Sequence, residues 1–117
     1  MTQPPPEQGT RVVRAGDLEI DLVREEVRRR GETVSLTGTE WKLLAYLAQN
    51  AGKVLLNDEI LRDVWRPEYE GDLQYLRVWI SRLRRKLEPG PGQRTVIKTM
   101  QAIGYVLDAK PPTDHPT

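Results

Sequence analysis

The sequence predicts an α+β fold: a small antiparallel sheet, three helices and a C-terminal β-hairpin, in that order. Three observations carry this prediction. Leu18, Ile20 and Leu22 alternate with Glu19 and Asp21, the two-residue period of a half-buried strand. Leu73, Leu76, Ile80, Leu83 and Leu87 recur at spacings of three and four, the seam of an amphipathic helix. After the breaker Pro89-Gly90-Pro91-Gly92 the alternation returns, with Val96 and Lys98 set against Ile97 and Thr99.

The chain has 117 residues, the size of one domain, and 38% hydrophobic with 30% charged residues is ordinary globular composition. Residues 1–11 and 109–117 are rich in proline and poor in core formers, so they read as tails around a domain spanning 12–108. The absence of cysteine excludes a disulfide scaffold, a thiolate metal site and a Cys nucleophile. The single histidine, His115, lies in the Pro-rich tail, which excludes a histidine triad or a multi-His metal site. Glu25-Glu26 is a carboxylate pair with no further catalytic group beside it. No apolar run approaches the ~18 residues that span a membrane, and no signal-type apolar core follows Met1. The expectation is a cytoplasmic, non-catalytic module with no metal and no cofactor.

Each element has its own signals. Val12-Val13-Arg14-Ala15 precedes the turn signal Gly16-Asp17 and the strand around Ile20. Val27 to Arg30, Gly31, and Glu32 to Leu36 read as a hairpin with Val34 and Leu36 on one face, giving three or four strands. Thr37 and Glu40 form a capping box for the first helix, in which each side chain satisfies a free backbone amide. Trp41, Leu44, Ala45 and Ala48 are its expected stripe, and Gly52 suits the left-handed cap after it. Asn57 can cap a second helix that turns Ile60, Leu61, Val64 and Trp65 inward, and Pro67 stops it. Asp72 suits the N-cap of the third helix, which runs to Leu87. Ala102-Ile103-Gly104 turns the chain into a return strand at Tyr105-Val106-Leu107. Trp41 and Trp65 fall in apolar stripes and are expected in the core, whereas Arg28-Arg29-Arg30 reads as solvated surface.

The net charge is only +1, but it is unevenly distributed. Residues 1–76 carry 10 basic and 14 acidic side chains, whereas residues 77–117 carry 8 basic and 3 acidic. Such asymmetry suggests that one end meets a polyanion. The third helix concentrates the effect, with five cations from Arg77 before the first acid, Glu88. At about 100° per residue, Gln74, Val78, Ser81, Arg82 and Arg85 lie opposite the leucine seam. Arg77 and Arg84 flank that face on one shoulder, and Tyr75, Trp79 and Lys86 on the other. The DNA major groove admits one helix; there Arg forks onto guanine, Gln pairs with adenine and Val meets a thymine methyl. Gln74, Val78, Ser81, Arg82 and Arg85 are therefore the candidate base readers. Arg77, Arg84 and Lys86 are candidate phosphate contacts, and Trp79 either packs on the hairpin or sits over the sugar-phosphate backbone. A short helix, a short loop and a longer basic helix give the helix-turn-helix order, and the following hairpin adds Arg94 and Lys98 as a wing. The competing reading is a winged-helix module that binds only protein. It calls for an apolar or acidic outer face, which Arg82 and Arg85 do not provide.

These residues resemble the C-terminal effector domains of OmpR/PhoB-type response regulators, which are winged helix-turn-helix domains. The resemblance runs through Leu18-Glu19-Ile20-Asp21, Val34-Ser35-Leu36-Thr37, Thr39-Glu40-Trp41-Lys42-Leu43-Leu44 and Gly52-Lys53-Val54-Leu55. Its most specific run is Val78-Trp79-Ile80-Ser81-Arg82-Leu83-Arg84-Arg85-Lys86-Leu87-Glu88, followed by Ile97-Lys98-Thr99 and Gly104-Tyr105. Tyr75-Leu76-Arg77-Val78 is similar to Kdp-type regulators. The resemblance implies that Arg82 reads a base, Arg84 contacts DNA nearby and Thr99 touches phosphate. It implies that the loop Arg66 to Gly71, with Glu68, Tyr69 and Glu70, contacts RNA polymerase. Nothing in the sequence offers a large exposed apolar interface, so the chain is expected to be monomeric alone, and the resemblance implies that it pairs head-to-tail on direct-repeat half-sites. A receiver domain usually precedes such a domain, so the chain is expected to be either that effector half or a stand-alone relative. Gln101 stands where the family's wing usually carries an arginine, and Val106 where another is frequent. Gln101 can still hydrogen-bond at the groove edge but brings no charge to a narrow minor groove.

Overall fold

The computed structural model describes residues 11–88 and 95–112. The expected tails at 1–10 and 113–117, the Pro-Gly breaker and Arg94 lie outside the described residues.

Four short strands, β1 (Val12–Ala15), β2 (Leu18–Asp21), β3 (Glu26–Arg29) and β4 (Glu32–Val34), form an antiparallel meander in chain order. Its register places Val13 opposite Ile20, Ile20 opposite Val27 and Val27 opposite Val34. One apolar row thus crosses the whole sheet, and Val13, Ile20 and Val27 are fully buried.

Helix α1 (Gly38–Gln49) begins at the expected capping box: Thr37 Oγ1 accepts the Glu40 N–H at 3.2 Å, and Glu40 Oε1 accepts the Thr37 N–H at 2.9 Å. Its buried face is Leu43, Leu44, Leu47 and Ala48, with Trp41 and Ala45 on the half-buried shoulder. The expected stripe is therefore rotated by one residue. The two stripes share Leu44 and Ala48, and both sets are apolar, so spacing alone does not separate them. Gly52 takes φ +82°, as a left-handed cap requires, and its N–H donates to Leu107 O at 2.9 Å.

Leu55 and Leu56 form a two-residue strand, β5, absent from the sequence expectation. It pairs with β7 (Gly104–Leu107), which pairs with β6 (Ile97–Met100), giving a second sheet in the order β5-β7-β6. The backbones approach closely here: a Cβ on Gly104 would lie 1.8 Å from Leu55 O, so only glycine fits. Helix α2 (Asn57–Ile60) continues as a π-helical turn, Leu61–Trp65. Asn57 is its first residue rather than its cap. The Leu56 N–H is satisfied by Glu59 Oε1 at 3.1 Å, and the Asn57 N–H donates across to Ile103 O at 3.0 Å. A 3₁₀ turn at Pro67–Tyr69 leads to α3 (Leu73–Leu87), where Asp72 caps by accepting the Tyr75 N–H at 3.2 Å.

The seam of α3 is buried at Leu76, Ile80, Leu83 and Leu87 but not at Leu73, which is 40% exposed. Leu73 falls in the first turn, beyond the edge of the core, where it lines a shallow hollow with Leu56 and Ile103. The core proper lies between the four-stranded sheet, α1 and α3, and is closed by Leu55, Ile97, Tyr105 and Leu107 of the second sheet.

The turn between β6 and β7 holds Ala102 at φ +63°. A Cβ in the left-handed region costs roughly 1 kcal/mol. Ala102→Gly is therefore expected to stabilise the chain by up to about 1 kcal/mol in denaturant unfolding, provided the turn keeps its conformation.

Candidate nucleic-acid interface

Helix α3 stands at the surface with its buried seam toward the core, so Gln74, Arg77, Val78, Ser81, Arg82, Arg85 and Lys86 are all exposed. Gln74, Val78, Ser81 and Arg85 follow at spacings of four, three and four and make one straight outward stripe, with Arg82 beside it. The structure brings together all five candidate base readers. Helix α2 and the Pro67–Tyr69 turn precede α3, and β6-β7 follows it as the wing.

The five cations of α3 do not share one environment. Arg77 and Arg85 have no acidic partner among the described residues. Arg82 places its guanidinium carbon 5.0 Å from the centroid of the Trp79 ring, over its face. Arg84 turns to the wing: its Nε and Nη2 donate to Ile97 O at 3.1 and 2.6 Å, and Nη2 donates to Thr99 Oγ1 at 2.8 Å. The same guanidinium lies 5.8 Å from the Tyr105 ring centroid. Lys86 turns the other way, and its Nζ donates to Glu40 Oε1 at 2.7 Å. Glu40 is 3% exposed and is the only buried charged residue among the described residues. Burial would raise its carboxyl pKa, but the Lys86 ammonium and the Thr37 amide outweigh burial and hold it below the ordinary 4.5.

Arg84 and Lys86, expected at phosphates, are therefore engaged within the protein: one fastens the wing to α3, the other fastens α1 to α3. A hydrogen bond from Arg84 occupies a lone pair of the Thr99 hydroxyl and leaves its proton free to donate outward. On the wing, Thr99 and Gln101 are exposed, and Lys98 is paired with Asp108 at 3.5 Å. Gln101, Thr99 and Arg77 line one hollow between α3 and the wing.

The other shoulder of α3 is aromatic. Tyr75 stacks on Tyr69 at 4.8 Å and meets Trp65 edge-on at 5.3 Å, while Trp79 lies 6.1 Å from Trp65. Trp65 and Trp79 are half-buried, and so is Trp41, on the edge of the core rather than within it. Tyr69 is likewise turned inward, so the α2–α3 loop offers Glu68 and Glu70, not Tyr69, to a partner. Tyr75 supplies the apolar face that covers the Tyr69 ring. Gly71 N–H donates to Asp58 Oδ1 at 2.8 Å and fixes the far end of the loop.

Sequence reading missed Glu40–Lys86 and Arg84–Ile97 altogether. The partners are 46 and 13 residues apart, and no local period signals either.

Residues 31–107 match the family described as transcriptional regulatory protein, C terminal. The transcriptional regulatory protein KdpE of Mycobacterium tuberculosis is 39% identical over 98 residues, covering 84% of this chain and 43% of that protein. The chain thus spans less than half the length of the curated relatives it matches. Among solved structures, the Klebsiella pneumoniae RstA DNA-binding domain in complex with the RstA box superposes with a TM-score of 0.72 at 33% identity, covering 83% of this chain and 96% of that one. DrrB, a Thermotoga maritima OmpR/PhoB homolog, superposes with a TM-score of 0.70 at 30% identity over 84% of this chain and 44% of that one. The winged helix-turn-helix read from the Val78–Glu88 run is the fold of these neighbours, and the chain belongs to the family of transcriptional regulatory protein C-terminal domains, of the OmpR/PhoB type.

Proposed function

We propose that the chain binds double-stranded DNA in a sequence-dependent way, with α3 in the major groove, as the effector part of a transcription regulator acting in the cytoplasm. The single observation that carries this reading is the outward stripe of Gln74, Val78, Ser81, Arg82 and Arg85 on a helix whose opposite seam is buried. These side chains supply the donors, the acceptor and the methyl groups that base edges in the major groove recognise. Arg77, Thr99, Gln101 and Lys98 flank the stripe and serve as phosphate or groove-edge contacts, Lys98 by exchanging Asp108 for phosphate. Arg84 acts one step back, holding Thr99 and the wing in place. The RstA domain, solved in complex with its box, supports DNA binding by this fold. The work is binding rather than catalysis. Two copies would sit head-to-tail on direct repeats about 10–10.5 bp apart, one helical turn. Selection from a pool of random duplexes tests the reading: a recovered motif with direct repeats supports it, and an unenriched pool defeats it.

The α2–α3 loop is the proposed contact for RNA polymerase, through Glu68 and Glu70. Both are exposed, and the loop is held firm by Tyr69 and Gly71. Replacing Glu68 and Glu70 by alanine should leave operator affinity within about twofold, because exposed substitutions away from the stripe change little. Transcription from a reconstituted promoter should fall. Unchanged transcription with intact DNA binding would remove the loop from the output.

A further inference from the structure

Three arginines face outward from α3, and one of them is held. Arg77 and Arg85 have neither an acidic nor an aromatic partner among the described residues. Arg82 lies over the face of Trp79, 5.0 Å from the ring centroid and three residues along the same side of the helix. Trp79 is itself braced. It lies 6.1 Å from Trp65 at 45° and 6.4 Å from Tyr75 at 65°. Tyr75 is wedged between Trp65 and Tyr69. Four rings from the π-helical turn, the 3₁₀ turn and α3 thus form one cluster, and its Trp79 ring carries the guanidinium.

The geometry suits base reading. The guanidinium carbon lies over the ring, and its five N–H groups fan out in the guanidinium plane, so this one aromatic contact does not consume them. A guanine offers O6 and N7 to that edge. An unsupported arginine must lose its rotamer freedom when it binds, whereas one already resting on an indole has lost part of it beforehand.

We propose that Trp79 is a positioning residue for DNA sequence discrimination: it holds the Arg82 guanidinium on the outer face of α3 before DNA arrives, and does so without touching DNA. This role replaces the backbone contact that the sequence suggested for Trp79, and it rests on the DNA-binding reading above. It also separates two arginines that the sequence treats alike, Arg82 on its platform and Arg85 without one.

The test uses the full chain, a duplex selected from a random pool and a random duplex of equal length, each titrated at several salt concentrations. Trp79→Leu should lower the ratio of specific to non-specific affinity by roughly three- to tenfold. The salt slope should stay unchanged, because no phosphate contact is removed. Trp79→Tyr keeps an aromatic face and should recover most of the ratio. In the Arg82→Ala background, Trp79→Leu should add no further loss of discrimination. In the free protein, nitrogen relaxation at the Nε–H group should show Arg82 more ordered than Arg85, and that difference should vanish in Trp79→Leu. Equal losses on both duplexes, additive losses in the double variant, or tighter specific binding by Trp79→Leu would overturn the role of Trp79 and leave the DNA reading standing. A wild-type chain that prefers no duplex would overturn both. Should Trp79→Leu fail to fold, an Arg82 side chain as mobile as Arg85 in the wild type overturns the proposal by itself.

Discussion

Replacing Arg82 with alanine is expected to weaken binding to the preferred duplex by about 1–3 kcal/mol and to flatten preference at one base pair. The cause is the loss of a two-pronged hydrogen bond at a base edge, which no neighbouring side chain reproduces. Arg85 lies three residues further along α3, and Arg84 has committed its Nε and Nη2 donors to Ile97 O and Thr99. Arg82→Lys should recover little, since an ammonium neither forks nor rests on the Trp79 ring in the same way. Binding to random duplex should fall far less. Equal loss on both duplexes, measured in parallel titrations, would reduce Arg82 to a phosphate contact.

Glu40→Ala is expected to cost about 2 kcal/mol of folding stability at pH 7, because it removes two interactions together. The first is the reciprocal half of the capping box, the hydrogen bond from the Thr37 N–H to Glu40 Oε1, worth about 1 kcal/mol, while the Thr37 Oγ1 cap on the Glu40 backbone N–H remains. The second is the partner of Lys86, with α1 and α3 held through a single oxygen, Oε1, that accepts from both Thr37 N and Lys86 Nζ. The same contacts make the effect pH-dependent. Because the folded-state pKa of Glu40 lies below the ordinary 4.5, its ionised form is favoured by folding. The charge-dependent part of its contribution is complete above that value and is lost as pH falls through the lower, folded-state value. The stabilities of wild type and Glu40→Gln in denaturant unfolding should therefore differ by a constant amount above about pH 5 and converge in acid. Curves that stay parallel down to pH 2 would show that the Lys86 pair contributes nothing to stability.

Helices and strands with a strong local period were legible from residues alone. The Leu76–Leu87 seam, the Thr37/Glu40 box and the alternation around Ile20 each specify their element without help from the rest of the chain. What stayed hidden depends on encounters across the fold. Strand β5 is two residues long and exists because β7 passes it at Gly104, so there is no alternation to read. Leu73 keeps the seam's spacing yet lies exposed, because the core ends before the first turn of α3. Asn57 has the right chemistry for a cap, but Ile103 O claims its N–H and shifts the helix start by one residue. The candidate interface divides in the same way. Its outward stripe follows from 100° per residue, whereas the fates of Arg84, Lys86 and Trp79 are set by Ile97, Glu40 and Trp65, none of which lies within a helical turn of its partner.

The central claim, that α3 reads DNA sequence, is tested most directly by competition at physiological salt between a selected duplex carrying two direct repeats and a random duplex of equal length. The predicted result is a preference of about a thousandfold or more for the selected duplex, with both affinities falling steeply as salt rises. Equal affinities for the two duplexes, or binding that salt leaves unchanged, would contradict it.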